Sequence, residues 1–118
     1  MSWIINTLEI FDKWFEGLTL AEQEDILVGI YLLEGQGPNL SRPYSDTLEG
    51  SRFKNMKELR VQHKGKPYRV LYAFDPKRRG ILILGGNKEG DKRWYKKHIP
   101  IADKLYQQYL EQLKEAEV

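Results

Sequence analysis

The feature that most constrains the fold is a pair of strongly apolar segments separated by a short turn. The first, YRVLYAF (residues 68–74), is rich in β-branched and aromatic residues, and the second, ILIL (residues 81–84), is continuously apolar. Pro76 lies between them and favours a turn because its φ is fixed. The pattern predicts a β-hairpin. Because ILIL lacks the alternation of a half-buried strand, we expect it to be covered on both faces.

The residues before this hairpin predict one strand and two amphipathic helices. WII (residues 3–5) is an apolar run of strand length. A helix capped by Asn6 is expected to follow it. Thr19 and Glu22 have the spacing of a capping box, which opens a second helix that ends at Gly35.

The remaining segments complete a small domain. Residues 36–52 are rich in proline, glycine and small polar residues and predict a long connection. MKELRVQ (residues 56–62) alternates and predicts a strand, and Pro100 suits the first turn of a last helix. The expected fold is α+β: a small antiparallel, partly mixed sheet of about four strands with two N-terminal helices and a C-terminal helix, in the order βααβββα. We expect residues 1–118 to form a single domain.

Charge is unevenly distributed along the chain. Residues 51–99 contain 15 lysines and arginines against 4 aspartates and glutamates, whereas residues 1–50 contain 2 against 9. Such a basic segment favours a polyanionic partner; the alternative is a solvated surface whose cations pair with the acidic helices. The chain has no cysteine, no export signal and no membrane-spanning run. We therefore expect a cytoplasmic protein without a membrane partner.

Two arginines on neighbouring predicted strands indicate an anion site. If Lys64 and Gly65 are the central residues of the first hairpin turn, Arg60 lies directly across from Arg69. Facing like charges destabilise a sheet by about a few tenths of a kcal/mol, so the pair is best explained by a bound phosphate. The alternative is that one arginine pairs with a carboxylate such as Glu58 or lies in another register.

The segment GGNKEGDKRWYKKH (residues 85–98) is the second candidate region. It lacks the G-x-x-x-x-G-K-[ST] pattern of phosphate-binding loops, and its alternation of cations with aromatics favours single-stranded nucleic acid. Tyr95 also offers a hydroxyl for acid/base chemistry, whereas Trp94 alone is better explained as a partly buried anchor. The predicted nucleic-acid-binding residues are Lys92, Arg93, Trp94, Lys96 and Lys97. The two histidines are not spaced as metal ligands, so we expect no metal and no cofactor.

Three runs of the sequence resemble a known family. MKELR, YRVLYAFDPKRRGILILGGNKEGDKRWYKK and IADKLYQQYL resemble the phage-derived HigB-like branch of the RelE/ParE superfamily, the toxins of type II toxin–antitoxin pairs. The resemblance covers most of residues 53–111. It implies an endoribonuclease of the fold order given above, often acting on ribosome-bound mRNA. It also implies a cognate antitoxin, commonly a helix-turn-helix protein, that holds the toxin inactive.

The resemblance also implies a mechanism. In RelE-like nucleases the RNA 2′-hydroxyl attacks the adjacent phosphate without a metal and leaves a cyclic phosphate. Arg69 in YRVLY matches the family's strand arginine, Arg60 in KELR matches its basic partner, and Tyr95 lies near the late tyrosine. Lys88 and Arg93 match the basic positions before it loosely. The predicted catalytic residues are Arg60, Arg69, Lys88 and Tyr95. The chain lacks the family's clustered His/Asp/Tyr/His tail, so the general base is not identified.

Two other functions fit the same fold and charge. One is a ParE-like, non-enzymatic poison of DNA gyrase, and the other is a toxin remnant that only binds its antitoxin. The arginine pair and Tyr95 favour the nuclease, because a protein that acts by binding another protein needs no converged phosphate site.

Overall fold

The chain folds into a five-stranded sheet with helices on both faces, in a computed structural model that describes residues 2–117. In chain order the elements are β1 (Ile5–Thr7), α1 (Glu9–Glu16), α2 (Leu20–Gln36), a short 3-10 helix (Gly37–Asn39), β2 (Ser45–Thr47), β3 (Lys57–His63), β4 (Lys66–Phe74), β5 (Gly80–Asn87) and α3 (Trp94–Ala116). The order across the sheet is β1-β5-β4-β3-β2. β1 is parallel to β5 and the other neighbours are antiparallel. The predicted α+β class is confirmed, with one strand more than expected.

Both predicted hairpins are present. Lys64 and Gly65 have φ angles of 50° and 79°, left-handed values at both central positions of the turn, as a two-residue type I′ hairpin requires. Arg60 consequently lies opposite Arg69, as predicted. In β5, residues 81–84 are buried between β1 and β4, which explains their continuous apolar character.

Alternation along the strands divides the core into two layers. Helices α1 and α2 pack with residues such as Leu59 and Val61 on one face. Helix α3 packs with residues such as Leu71 on the other face. Because successive side chains of a strand point to opposite faces, Glu58 and Arg60 project to the α3 side. Among residues 2–117, no helix has the length and apolarity needed to cross a membrane.

The first and last helices begin at positions other than those predicted. Asn6 belongs to β1 and pairs with Ile81, so it does not cap α1; Leu8 occupies the cap position without a side-chain hydrogen bond. Helix α3 begins at Trp94, and Pro100 lies inside it. A proline removes one hydrogen bond to the preceding turn, which this helix tolerates.

The predicted connection of residues 36–52 contains structure of its own. It includes β2, which pairs with β3, and the 3-10 helix. Helix α2 ends at Gln36 instead of Gly35, because Gly37 adopts a φ of 57°. A Cβ at Gly37 would approach the Trp3 ring to 2.4 Å, so only glycine fits there. The predicted capping box at the start of α2 is present.

Candidate active site

A polar cleft of about 440 Å³ lies on the α3 side of the sheet, beside β2 and β3. It is lined by Arg42, Thr47, Leu48, Glu49, Glu58, Arg60, Arg69, Lys88 and Tyr95. All four predicted catalytic residues therefore meet in one place. The lining contains four cations and two carboxylates, so the cleft favours an anionic ligand.

The two facing arginines hold one buried carboxylate between them. Glu58 Oε2 is 3.3 Å from Arg60 Nη1, and Glu58 Oε1 is 3.3 Å from Arg69 Nε. The side chains of Glu58 and Arg69 are 7% and 4% exposed, whereas that of Arg60 is 29% exposed. The alternative prediction of a pairing with Glu58 is thus correct, and it holds for both arginines. This carboxylate offsets the repulsion between the two guanidinium groups.

The hydroxyl of Tyr95 completes the network. It donates a hydrogen bond to Glu58 Oε1 (2.5 Å) and accepts one from Arg69 Nε (3.2 Å). Burial of the phenol, with the hydrogen bond to Glu58, raises the pKa of Tyr95 above its usual value despite the opposing effect of Arg69. The hydroxyl therefore keeps its proton at neutral pH and donates it in the hydrogen bond to Glu58. Lys88 Nζ lies 5.4 Å from the centroid of the Tyr95 ring, within the range of a cation–π contact.

Trp94 anchors the first turn of α3 to the sheet. Its ring stacks on His98 with 4.3 Å between centroids and is only 3% exposed. It lies against Gly86, where a Cβ would come within 2.7 Å of the indole nitrogen. Because Gly86 pairs with Arg69, the anchor places Tyr95 next to the arginines. A ring this buried presents no open face to a base, which favours the anchor alternative, and a role of Trp94 in nucleic-acid binding stays a prediction.

The other predicted nucleic-acid-binding residues lie outside the cleft. Lys92 and Arg93 precede α3, Lys96 and Lys97 lie in its first turns, and all four are exposed. Lys97 Nζ is 3.2 Å from Asp91 Oδ2. Together they form a basic rim beside the cleft, and their contact with RNA stays a prediction.

Glu58 and Arg42 line the cleft but were not among the predicted catalytic or binding residues. Glu58 was considered only as a possible partner of an arginine, although its spacing of two from Arg60 on a strand places both on one face. Arg42 lines the cleft from the loop before β2, with Nε and Nη2 at 2.9 and 2.6 Å from Asp46 Oδ2. Across residues 2–117, no three His, Cys, Asp or Glu side chains are grouped to hold a metal ion.

The fold is shared with RelE toxins. The structure resembles a chain of the archaeal RelE–RelB complex from Pyrococcus horikoshii OT3, with a TM-score of 0.56, 18% identity, and coverage of 76% of this chain and 99% of that chain. It also resembles a mutant of the E. coli toxin RelE in the free state, with a TM-score of 0.57, 15% identity, and coverage of 78% and 90%. At such identities the likeness concerns the fold alone, which is RelE-like.

Sequence comparison identifies the family. The model of phage-derived Gp49-like proteins (DUF891) matches residues 13–107. HigB3 of Mycobacterium tuberculosis, named as a toxin, is 46% identical over 100 residues, which are 84% of this chain and 86% of HigB3. HigB2 of the same organism, also named as a toxin, is 40% identical over 110 residues, covering 92% of this chain but only 55% of HigB2. The chain belongs to the Gp49-like family of RelE/HigB-type toxins.

Proposed function

We propose that the protein is a metal-independent endoribonuclease whose active site is the cleft around Glu58. The observation that carries the proposal is the convergence of two arginines, a buried carboxylate and a protonated tyrosine hydroxyl in one cationic cleft. Cleavage by attack of the 2′-hydroxyl needs a proton acceptor, stabilisation of the phosphate charge and a proton donor for the leaving oxygen. These side chains supply all three.

Arg60 and Arg69 are suited to the phosphate. A guanidinium stays charged, and its planar fork matches two phosphate oxygens. Arg69 is held in place because its Nη1 also donates to the backbone carbonyl of Tyr68 at 3.0 Å. A donor fixed in this way needs no reorganisation as charge develops on the phosphate oxygens.

Glu58 and Tyr95 are suited to the proton transfers. We assign Glu58 as the base that takes the proton of the 2′-hydroxyl while the 2′-oxygen bonds to phosphorus. The bond from phosphorus to the 5′-oxygen breaks, and the Tyr95 hydroxyl gives its proton to that oxygen. Because the two groups are hydrogen-bonded in the free protein, protonated Glu58 can return a proton to the Tyr95 phenolate after the products leave.

The proposed substrate is mRNA on the ribosome, and the proposed regulator is a helix-turn-helix antitoxin. The names of the HigB relatives and the RelE–RelB complex among the structural neighbours support an antitoxin partner. The excess of cations in residues 51–99 supports a polyanionic substrate and an antitoxin segment of opposite charge.

The test combines purified components with induction in cells. Ribosome-bound mRNA is incubated with the protein in the presence of a chelator, and new ends are mapped for cyclic phosphate. We expect cleavage by the parent and by the surface variant Lys104→Gln, whose exposed side chain on α3 lines neither the cleft nor its rim, with a loss of roughly 10²–10³ in rate for Arg69→Gln. Induction should stop translation early with cut transcripts. An SOS response with intact mRNA would identify a gyrase poison, and normal growth would identify an inactive remnant.

A further inference from the structure

A second depression adjoins the cleft at Tyr95. It has a volume of about 350 Å³ and is lined by Glu49, Gly50, Tyr95, Lys96, Ile99 and Pro100. Glu49 and Tyr95 line both the depression and the cleft. A ligand whose phosphate lies between the arginines can therefore extend a neighbouring group into this space.

The walls of the depression are apolar and aromatic. Tyr95 and Ile99 are four residues apart on α3 and so lie on one face of the helix, and Pro100 follows directly. An aromatic ring beside aliphatic side chains is the surface on which nucleobases stack in proteins that bind single strands. Lys96 and Glu49 supply charged groups at the rim.

The loop that carries Glu49 is fixed at both ends. Before it, the amide of Leu48 donates to the Met56 carbonyl at 3.0 Å. After it, Ser51 Oγ and the Arg52 amide donate to the two oxygens of Asp103, at 2.5 and 3.1 Å. Asp103 lies on α3 and is 7% exposed. The depression is thus a built site, with its loop wall tied to its helix wall.

Glu49 is unusual in this place. It is exposed, and within residues 2–117 it makes no hydrogen bond or ion pair, although it lines a cleft with four cations. A carboxylate at a phosphate site repels the substrate unless it accepts hydrogen bonds from another part of the same ligand. In RNA the groups that can donate such bonds are the base edges and the 2′-hydroxyls, and the adjoining depression is lined by an aromatic ring and aliphatic side chains against which a base can pack.

We propose that this depression holds the nucleobase next to the scissile phosphate and that Glu49 selects guanine. The proposal rests on the nuclease function proposed above. A carboxylate has two acceptor oxygens side by side, and guanine presents two donors side by side, its ring N–H and its 2-amino group. Adenine and cytosine present one amino group beside an acceptor, and uracil presents a single ring N–H between two carbonyl oxygens, which repel a carboxylate. Binding should therefore weaken in the order guanine, then adenine and cytosine, then uracil.

Binding of small nucleotides tests the subsite without cleavage. Guanosine 3′,5′-bisphosphate and uridine 3′,5′-bisphosphate are titrated into the isotope-labelled protein and followed by NMR. We expect the guanosine compound to bind about tenfold more tightly, the discrimination of one good bidentate contact, and Glu49→Gln to remove that preference. Glu89→Gln is the matched control because it removes an exposed carboxylate beside Lys88 without touching the depression. Equal binding of both nucleotides by the parent, or a preference that persists in Glu49→Gln, would overturn the proposal.

Mapping of cleavage sites separates this proposal from the nuclease function. In the parent, guanine should be more frequent than the other bases at one position beside the cleaved bond. Glu49→Gln should abolish this enrichment, whereas Glu89→Gln should preserve it. A preference for guanosine bisphosphate without RNA cleavage would support the guanine subsite and contradict the nuclease function. Cleavage with no base preference would contradict only the guanine subsite. If antitoxin shifts the signals of Gly50 and Ile99 while neither nucleotide does, the depression is a protein-docking site and the proposal is wrong.

Discussion

Two networks of this protein use the same three side-chain types and differ in what surrounds them. At the turn between β4 and β5, Asp75 Oδ2 accepts hydrogen bonds from Arg79 Nη2 (2.9 Å) and from the hydroxyl of Tyr109 on α3 (2.7 Å). In the cleft, Glu58 likewise binds arginines and the hydroxyl of a tyrosine on α3. Composition alone therefore does not distinguish a structural network from the one that we propose to be catalytic.

The distinction lies in where the donors come from. Asp75 also accepts the backbone amides of Lys77 and Arg79, both at 2.9 Å, and its side chain is 0% exposed. Burial alone raises the pKa of Asp75, but hydrogen bonds from Tyr109 and Arg79 outweigh it and the pKa lies below its usual value. Within residues 2–117, Glu58 has only side-chain donors, carried by three different elements beside an open cleft. The hydrogen bonds from such donors can pass from Glu58 to a ligand that enters the cleft.

The largest expected effect comes from replacing the two carboxylates by their amides. Glu58→Gln should lower the cleavage rate by about 10²–10⁴, because an amide cannot take up a proton. Asp75→Asn should leave cleavage unchanged and lower the free energy of unfolding by about 1–3 kcal/mol, because buried donors lose their acceptor. Single-turnover cleavage and denaturant unfolding of both variants measure this. The opposite pattern would show that we have exchanged the roles of the two networks.

The arginines provide the next comparison. Arg60→Gln and Arg69→Gln should each slow cleavage by roughly 10²–10³. The double variant should lose less than the product of the singles, because groups that act on one phosphate are not additive. Arg79→Gln is the control, and it should affect unfolding but not cleavage. Multiplicative losses would mean that Arg60 and Arg69 contact different phosphates.

The two tyrosines give a smaller effect. Tyr95→Phe should slow cleavage by about 10²-fold if its hydroxyl protonates the leaving oxygen. Tyr109→Phe, which removes a hydroxyl from Asp75, should leave the rate unchanged. If Tyr95→Phe cleaves as fast as the parent while Tyr95→Ala does not, the ring stacks on a nucleobase and the role of its hydroxyl as an acid is wrong.

The smallest effect is a dependence of stability on pH. Since the pKa of Asp75 is lowered in the folded protein, its interactions stabilise the fold above the ordinary carboxyl pKa of roughly 3.9. That contribution is lost as the pH falls from there through the lower folded pKa. Unfolding measured between neutral pH and acid should therefore change less steeply in Asp75→Asn than in the parent. Parallel curves for the two proteins would show that the turn network does not contribute to acid unfolding.

Local rules predict the arginine pair but not the helix that completes the site. The turn at Lys64 and Gly65 fixes the register of β3 and β4, so the position of Arg60 opposite Arg69 follows from sequence. The approach of Tyr95 depends on the packing of Trp94 against Gly86, a contact between residues whose spacing carries no periodic signal. β2 was missed for a related reason, since a strand of three residues is too short to show alternation.

The pairing of Glu58 with both arginines has a consequence for how the cleft is filled. A phosphate that binds between the arginines competes with Glu58, an internal acceptor that already holds one donor of each. Entry is therefore an exchange, in which one anion yields its donors to another. If RNA is the substrate, as we propose, the long-range field of the basic segment governs how often it reaches the surface, and this field weakens with salt. The exchange at close range governs how long a phosphate remains, and it depends far less on ionic strength. Arrival thus depends on the charge of the whole segment, and retention depends on the contacts around Glu58.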